Sequence, residues 1–385
     1  MAERPDLLLI TPVVPDPRGA GRNLRAWAWL DVLSRDYAVH VLVAGGQEAG
    51  APPVPSAASV HFLAVGPAPA WKRRAALIFP LLAMRSGFHA DFAQVNDHRA
   101  GALEWLAALR PVRIVVFRLY LHEVADVVRA RLPAVRAEVD LDDLESRSRL
   151  SVALCNFRLG RPRAGLHELD LAVQYWLAEH WLLARYDAIH LAAREDREGI
   201  RNRYRTRVTA FPNRLAPQST VDCAKPFRVL FIGSLGYPPN EEAAALLANE
   251  VAPLLSHLPD LRVTVAGKSP SAALRRQLVG NPLIDLIADP PDLAPLYAEA
   301  SVVVVPLRAG GGTKFKTIEA FAYGRPVIST AEGVRGLNAE PGRHYLAAET
   351  APEFAAAISR LAHDTHLARD IGAAGHRLWQ DELSL

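Results

Sequence analysis

The sequence is 385 residues long, half of its residues are hydrophobic, and its net charge is only +3. This length exceeds one ordinary domain and suits two, each with enough apolar residues for its own core. The small positive charge disfavours a nucleic-acid-binding protein, which usually carries a dense basic face. Two cysteines without metal-type spacing disfavour a disulfide scaffold and a zinc site.

The first half alternates short apolar runs with helix-like sequence. A helix is expected at 23–33, and a long, mostly buried helix at about 165–184, where leucine and aromatic residues recur at helical spacing. Arg158–Arg163 contains Gly and Pro and is predicted to be a mobile basic loop. Buried strands are predicted at Leu7–Thr11, Val39–Val43, His61–Ala64, Arg113–Phe117, Val135–Asp140 and Ala188–Leu191.

The same alternation restarts after a polar stretch that ends at residue 226. A helix is expected at Glu241–Leu255. Further strands are predicted at Phe227–Ile232, Arg262–Ala266, Leu283–Ile287, Val302–Val305 and Val327–Ser329. Strands that alternate with helices indicate parallel sheets covered on both faces. The predicted organisation is an N-terminal domain at 1–212, a linker at 213–226 and a C-terminal domain at 227–385.

A glycine-rich block at 308–330 carries the clearest chemical signal. It places Gly310-Gly-Gly312 between a buried strand and a helix that begins near Phe315. Glycines leave backbone N–H groups open to a ligand, and a helix N-terminus attracts anions. Lys314 and Lys316 add positive charge, and Glu319 lies one helical turn deeper, where it can accept from hydroxyl groups. A phosphate at one end and a diol at the other predict a nucleotide-sugar site.

The order and spacing of these motifs resemble the retaining GT-B glycosyltransferases of family 4, also called glycosyl transferases group 1. The resemblance covers roughly 150 residues of the C-terminal half. The matching segments are Phe-Ile-Gly-Ser-Leu-Gly-Tyr-Pro-Pro-Asn (231–240), Val-Ala-Gly-Lys (265–268), Val-Pro-Leu-Arg (305–308), the block at 311–330 and Gly-Val-Arg-Gly-Leu (333–337). The N-terminal half matches more loosely, at residues 15–23, 139–145 and 210–213.

The resemblance implies an α/β fold of the GT-B architecture, two Rossmann-like domains whose parallel sheets face each other across a cleft. It also implies a hexosyltransferase of glycan or glycoconjugate biosynthesis. The C-terminal domain would bind a nucleoside-diphosphate-sugar donor and the N-terminal domain a glycan, lipid-linked or small-molecule acceptor. Transfer would retain the anomeric configuration and need neither metal nor cofactor, since the nucleotide-sugar is a co-substrate.

The resemblance also assigns roles to donor-side residues. Lys316, favoured over Lys314 as the phosphate ligand, and Glu319, as the ribose ligand, are the expected catalytic contributors of this half. Asn240 is expected to contact the ligand, to cap a helix that begins at Glu241, or both. The remaining expected donor-binding residues are Gly233, Ser234, Lys268, Asp289, Gly311, Gly312, Thr313 and Lys314.

Two departures from the family pattern concern the donor. Gly311 stands eight residues before Glu319, where many members carry an acid that touches the donor sugar. Ser234 and approximately Asn240 stand where an Arg and a Lys often bind the diphosphate. These departures leave donor binding intact, with Lys314 and Lys316 expected to supply the missing positive charge, and they bear on which sugar is bound.

The acceptor side is predicted from the loop after the first strand and from residues 139–145. Gly19 and Gly21 would allow close approach of the acceptor and the donor phosphate, and Arg22 would pair with an anion; the alternative is a plain solvated loop. Asp142, the expected catalytic residue of this half, and Asp143 would orient the acceptor hydroxyl; the alternative is a hydrogen-bonded strand end. Asp140-Leu-Asp142 matches a metal-binding string of another glycosyltransferase architecture, but a polar wall is preferred. His98 and His122 are weaker acceptor-side candidates.

Location and membrane contact are predicted from the N-terminus and one basic stretch. The N-terminus lacks a signal-peptide pattern, and no apolar run approaches the ~20 residues of a membrane span. We therefore expect a cytoplasmic protein. Trp71-Lys-Arg-Arg74, followed by apolar residues, suits weak peripheral association with the inner face of a membrane, although a solvated helix flank is preferred.

Two alternatives to an active glycosyltransferase remain open at this stage. The missing acid at Gly311 and the serine at 234 would suit a catalytically weak homologue that acts as a binding or scaffold partner. A nucleotide-sugar epimerase shares the general fold but is disfavoured by the block at 305–330. A nicotinamide dehydrogenase is disfavoured because neither first-strand loop holds Gly-x-Gly-x-x-Gly.

Overall fold

The computed structural model describes residues 4–17, 19, 21–45, 53–66, 94–95, 97–132, 135–205, 207–218, 227–258 and 261–385. The chain divides into two compact units. The first consists of residues 1–149 and 169–213, and the second of residues 150–168 and 214–385. The sequence-based boundaries place residues 150–168 in the first domain, whereas they pack with the second unit. The segment Trp71–Arg74 lies outside the described residues.

A parallel sheet of seven strands, in the order β3-β2-β1-β6-β7-β8-β9, forms the centre of the first unit. The two short strands β4 and β5 form a separate antiparallel ribbon. The bounds are β1 (Asp6–Thr11), β2 (Ala38–Ala44), β3 (Ser59–Leu63), β4 (Val65–Gly66), β5 (Gln94–Val95), β6 (Arg113–Phe117), β7 (Arg136–Asp142), β8 (Ala188–Leu191) and β9 (Val208–Ala210).

Both faces of this sheet are covered. Leu8 and Ile10 of β1 belong to one buried apolar cluster, whereas Leu7 and Leu9 belong to another on the opposite face. This alternation explains why β1 reads as a continuous apolar run. The helices are Gly21–Leu33, His122–Arg129 and Asn202–Arg205, and the 3₁₀ segments are Asp97–Ala108, Leu119–Leu121, Leu182–Arg185 and Arg194–Gly199.

The second unit has a six-stranded parallel sheet in the order β12-β11-β10-β13-β14-β15. Its strands are β10 (Arg228–Ile232), β11 (Arg262–Gly267), β12 (Ile284–Ala288), β13 (Val302–Val305), β14 (Val327–Ser329) and β15 (Leu346–Ala347). Its helices are Pro238–Leu246, Ala252–Leu254, Ala272–Val279, Ala294–Glu299, Phe315–Ala322, Ala351–His363 and Thr365–Leu378, with a 3₁₀ turn at Glu332–Val334 and π turns at Leu247–Val251 and Trp379–Leu383.

Two long helices, Glu145–Arg158 and Pro162–Trp181, each contain a boundary between the units. None of the described helices is both long enough and apolar enough to cross a membrane. The predicted mobile loop at Arg158–Arg163 is wrong in part, because it contains only a short turn between these helices and because Arg158 and Arg161 form ion pairs.

The helix Pro162–Trp181 is less buried than the sequence predicts. Leu171, Tyr175 and Leu177 are buried as expected, but Leu166 is 60% exposed and Trp181 is 44% exposed. The helix is therefore apolar on two sides, and only one side faces the core. Helical spacing alone cannot distinguish a buried apolar side from an exposed one.

Parallel pairing decides where ligands can bind in each unit. In the second sheet the chain moves outward from β10 to β11 and β12, and then returns to β13 on the other side of β10. Such a reversal leaves a crevice at the carboxyl ends of the two central strands. Two loops flank this crevice: residues 233–240 after β10, called the first glycine loop, and residues 308–314 after β13, called the second glycine loop.

Backbone packing at this edge depends on Gly267. Its φ is +156°, and a Cβ there would lie 1.6 Å from the carbonyl oxygen of Gly233. We expect Gly267→Ala to lower the free energy of unfolding by about 3–5 kcal/mol, because both the left-handed backbone and the contact forbid a side chain. Urea denaturation followed by circular dichroism measures the loss.

Gly342→Ala is the matched control, because its φ is +79° but no atom lies within 4 Å of the added Cβ. This control should lose only about 1 kcal/mol, the cost of the left-handed backbone alone. Equal losses in the two variants would contradict the steric explanation.

Candidate active site

Lys314 fixes the shape of the second glycine loop. Its Nζ donates to the carbonyl oxygens of Gly311 at 3.1 Å and Gly312 at 2.8 Å, and it pairs with Glu332 at 2.8 Å. Gly310 and Gly312 have φ values of +135° and +58°, which favour glycine. Because its charge is balanced by Glu332 and its protons are used inside the loop, Lys314 acts here as a structural residue.

Lys316 is the lysine that remains at the crevice, in the first turn of the helix Phe315–Ala322. Its Nζ donates to Oδ1 of Asn240 at 2.7 Å and lies 4.4 Å from the ring centre of Phe231. Burial and the neighbouring charge of Lys314 lower the pKa of Lys316 to about 7, against the opposing effect of Glu319. An anion that binds beside Lys316 would raise the pKa of this lysine and so favour its charged form.

Asn240 connects Lys316 to the first glycine loop. Its Nδ2 donates to the carbonyl oxygen of Ser234 at 2.9 Å, and a Cβ at position 233 would lie 2.7 Å from its Cγ. The predicted cap of a helix at Glu241 is wrong, because the helix begins at Pro238 and Asn240 lies inside it. Glycine at 233 therefore accommodates the close approach of the Asn240 side chain, and a larger residue there would displace Asn240.

Glu319 is held by a residue that no sequence motif indicated. The hydroxyl of Tyr297 donates to Oε2 of Glu319 at 2.6 Å, and the Tyr297 ring stacks on Tyr323 with centroids 5.0 Å apart. Burial raises the pKa of Glu319 to about 7, although the Tyr297 hydrogen bond and Lys316 oppose the increase. Glu319 and Lys316 thus form a neighbouring acid and base that both titrate near neutral pH.

The other predicted donor residues lie at the same edge of the second sheet. Lys268 and Asp289 follow the neighbouring strands β11 and β12, and both are exposed. The Asp289 carboxylate accepts from the backbone N–H of Ser269 at 2.9 Å, and both residues have positive φ values, +51° and +55°. Thr313 is buried beside Lys314. All of these residues stand in loops after parallel strands, as the sequence predicts.

In the first unit, two buried arginines bind the carboxylates at the end of β7, which include the predicted acceptor residues Asp142 and Asp143. Arg25 donates to both oxygens of Asp140 at 2.7 and 2.6 Å, and it lies 3.4 Å from Asp142. Trp29 Nε1 also donates to Asp140 at 2.7 Å, and Asn213 accepts from Arg25 at 2.8 Å. Burial disfavours the charged forms of Arg25 and Asp140. The neighbouring Arg25 nevertheless holds the pKa of Asp140 below its ordinary value.

Arg118 holds the second half of this cluster. It reaches Asp142 at 2.6 Å, Asp143 at 2.7 Å and Glu145 at 3.0 Å. Arg118 and Asp142 both have positive φ, +86° and +62°, at the ends of β6 and β7. Burial raises the pKa of Asp143 to about 6, despite Arg118. Left-handed backbone at non-glycine residues is concentrated at functional sites, which supports a role for this edge.

The remaining acceptor-side candidates differ in exposure. Gly21 and Arg22 begin the helix Gly21–Leu33, where Arg22 is exposed. A Cβ at Gly19 would lie 2.4 Å from Cβ of Asn23, so this glycine permits a tight loop. His122 is fully buried, with its Nδ1 2.8 Å from the Tyr186 hydroxyl, and offers no ring nitrogen to a substrate. The side chain of His98 lies outside the described part of the chain.

The Asp140-Leu-Asp142 string does not form a metal site in the described residues, where no group of three or more His, Cys, Asp or Glu side chains is placed to hold a metal ion. Its carboxylates are instead bound by Arg25 and Arg118. The acceptor-side polar wall stays a prediction.

Several site residues could not be found from sequence patterns. Arg25 and Arg118 are single arginines in apolar surroundings, and Tyr297 and Glu332 belong to no recognised motif. Phe231 lies in the matching segment 231–240, but no role was assigned to it. The one available signal was the apolar context of Arg25, since a charged residue there must find buried partners.

Comparison with known proteins identifies the fold of the chain and the family that residues 226–364 match. Residues 226–364 match the family model described as glycosyl transferases group 1. Sucrose-phosphate synthase from Thermosynechococcus elongatus has a TM-score of 0.69 at 18% identity, covering 99% of this chain and 95% of that chain. These matches show that the two-sheet α/β fold is that of the GT-B glycosyltransferases.

Two further solved structures share the fold. Anabaena HepE in complex with UDP and glucose has a TM-score of 0.63 at 13% identity, with 98% of this chain and 95% of that chain covered. A TarM variant from S. aureus, in complex with fondaparinux, alpha-GlcNAc-glycerol and UDP, has a TM-score of 0.62 at 9% identity, with 99% and 97% covered.

One curated relative matches part of the chain. It is an uncharacterized 44.6 kDa protein in the cps region of Klebsiella pneumoniae, 30% identical over 136 residues. The match covers 33% of this chain and 35% of the relative. The chain therefore spans about a third of the length of the curated relative that it matches.

Removing Arg25 should destabilise the first unit strongly. Arg25→Met leaves the Asp140 carboxylate buried without its main partner, so we expect the free energy of unfolding to fall by about 3–5 kcal/mol. Arg22→Met, on the exposed side of the same helix, is the control and should change stability by less than about 0.5 kcal/mol. Chemical denaturation measures both, and similar values would contradict the assignment of Arg25 as a buried anchor.

Lys316 should lower the free energy of unfolding near neutral pH, because the folded protein binds the proton of this lysine less tightly than the unfolded chain does. Between about pH 7, its pKa in the folded protein, and its ordinary pKa of 10.5, the unfolded chain binds more protons than the folded chain. Stability therefore rises with pH across this window, and the lysine destabilises most below it. We expect Lys316→Met to raise the melting temperature at pH 6 and to lose this gain toward pH 10.

Thermal melts of wild type, Lys316→Met and Lys268→Met at several pH values measure this effect. Lys268 is exposed and should give no pH-dependent difference. A Lys316→Met protein that melts below wild type at pH 6 would show that burial of the lysine is not costly.

Proposed function

Because residues 226–364 carry a glycosyl transferases group 1 domain in a chain with the GT-B fold, we propose that this protein is a glycosyltransferase. It transfers a sugar from a nucleoside-diphosphate-sugar to an acceptor hydroxyl. The observation that carries the proposal is the set of Lys316, Glu319 and the second glycine loop beside the reversal of strand order. Phosphate-sized anions and a ribose diol suit these groups.

Lys316 and the backbone amides at Gly312 and Thr313 stabilise the departing diphosphate. Negative charge grows on the diphosphate as the bond to the sugar breaks, and preorganised donors in a partly dry site lower the energy of that state. Lys314 contributes indirectly, since its bonds to the loop carbonyls keep the loop in one shape. Binding of the diphosphate raises the pKa of Lys316 and secures its charge.

Glu319 binds the ribose hydroxyls. Tyr297 orients one carboxyl oxygen at 2.6 Å, which leaves the other oxygen for the ligand. A carboxylate accepts two hydroxyl hydrogen bonds well only when it is ionised. The proximity of Lys316 favours the ionised form, so the same lysine supports both ends of the nucleotide.

Transfer is proposed to be independent of metal and of other cofactors and to retain the anomeric configuration. The bond between the anomeric carbon and the diphosphate oxygen breaks, and its electron pair stays on the diphosphate. The acceptor oxygen bonds to the same face of the anomeric carbon, and its proton passes to the leaving phosphate oxygen. No strong general base is then required, and positioning and phosphate electrostatics supply the catalysis.

The acceptor is proposed to bind at the first unit, where Asp142 and Asp143 orient its hydroxyl. Gly19, Gly21 and Arg22 line the loop after β1, at the reversal of strand order between β1 and β6. A glycan, a lipid-linked sugar or a small molecule would suit this edge. A cytoplasmic location, with weak contact at the inner face of a membrane, is part of the same proposal.

A thermal-shift screen with UDP, GDP, ADP and dTDP tests the donor site. UDP is the first candidate, because Anabaena HepE and the TarM variant were solved with UDP. At about 100 times its dissociation constant, the right nucleotide should stabilise the folded protein by about 2.7 kcal/mol. Glu319→Ala should reduce that shift, whereas Glu250→Ala, which removes an exposed acid of the same unit, should not.

The outcomes separate the alternatives. A shift with one nucleotide, together with sugar transfer or donor hydrolysis, supports the enzyme. A shift without turnover of any nucleotide-sugar would favour the binding or scaffold role suggested by Gly311. The absence of any shift would contradict the proposed donor site.

A further inference from the structure

The helix Glu145–Arg158 presents one polar face to the donor-side loops. Ser151, Cys155 and Arg158 are spaced by four and three residues, so they lie on the same side of the helix. All three belong to the second unit, although the sequence around them follows the strands of the first. Each of them contacts a residue in, or directly after, one of the two glycine loops.

Ser151 contacts the second glycine loop directly. Its Oγ accepts from the backbone N–H of Gly310 at 3.0 Å. Gly310 is buried and has a φ of +135°, so its peptide group has no regular secondary structure to orient it. The hydroxyl therefore fixes the direction of the peptide that precedes the proposed phosphate-binding amides.

Two arginines hold the same segment against the end of the first glycine loop. Arg158 donates to both oxygens of Glu242 at 2.6 and 2.9 Å, and Arg161 donates to both oxygens of Glu241 at 2.7 and 2.7 Å. Cys155 Sγ adds a contact to Glu242 at 3.3 Å. Paired arginine–carboxylate bonds fix orientation as well as distance.

Glu241 and Glu242 directly follow Asn240, which holds Lys316. Movement of the helix Pro238–Leu246 would therefore change the position of the proposed phosphate ligand. The contacts at Ser151 and at the two glutamates lie at opposite ends of residues 151–161. This short segment thus connects the two loops that flank the crevice.

We propose that residues 151–161 form a brace that sets the geometry of the donor site, with Ser151 as a positioning residue for the second glycine loop. The inference rests on the proposed function, since it assigns these residues to the same nucleotide site. Ser151 acts through the Gly310 peptide, and the arginines act through the helix that carries Asn240. The brace controls nucleotide affinity more than the overall stability of the fold.

Isothermal titration of the full chain with UDP, or with whichever nucleoside diphosphate gives the thermal shift, tests the brace. Ser151→Ala should weaken binding about fivefold to tenfold, because the free loop relaxes without its acceptor and binding must then bury the Gly310 amide unpaired. Ser151→Thr keeps the hydroxyl and should bind within about twofold of wild type. Arg163→Ala, an exposed arginine just beyond the brace, should leave binding unchanged.

Hydrogen exchange of the peptide covering 306–315 supplies a second readout. In Ser151→Ala without nucleotide, this peptide should exchange faster than in wild type, while the melting temperature changes by less than about 2 °C. Unchanged affinity and exchange in Ser151→Ala, with wild type binding normally, would overturn the brace alone. Loss of stability with unchanged affinity would also overturn it, since Ser151 would then serve the fold only. If wild type binds no nucleoside diphosphate, the proposed function itself fails.

Discussion

Parallel strand pairing is the constraint on which the rest of this molecule depends. Each strand of a parallel sheet releases the chain at the same edge, so every loop that follows a strand competes for space there. In the second unit, Gly267 meets the carbonyl of Gly233 so closely that no side chain fits between them. Only backbone groups and a few long side chains fit at this crowded edge, and this limits which residues can contact a ligand.

At both sheets, that edge concentrates ionisable groups that the fold must satisfy internally. Lys314 and Glu332 balance each other in the second unit, and Arg25 and Arg118 balance carboxylates in the first. Burial moves the pKa of Lys316 and of Glu319 to about 7, and that of Asp143 to about 6. Groups that titrate near neutral pH respond readily to a charged ligand, and such shifts are concentrated at functional sites.

The sequence was sufficient to predict the strands and the glycine loops, because buried parallel strands read as short apolar runs and glycines mark the turns. β6, β8, β13 and β14 have the predicted bounds. It was not sufficient for contacts between distant residues, such as Tyr297 with Glu319 or Arg118 with Asp142. Those contacts depend on rotamers and loop paths that no local spacing encodes. Helix faces were also ambiguous, as the exposed side of Pro162–Trp181 illustrates.

The helix that carries Ser151 has a second apolar face of its own. Leu150, Leu154 and Phe157 each precede a bracing residue by one position, and they are 44%, 51% and 39% exposed. Because one residue turns an α-helix by about 100°, a one-residue insertion before Leu150 would carry these apolar side chains into the positions that face the glycine loops. The length of the chain before this helix is therefore more constrained than the identity of its exposed residues. Substitutions on the exposed face should be tolerated, but a change of length should not.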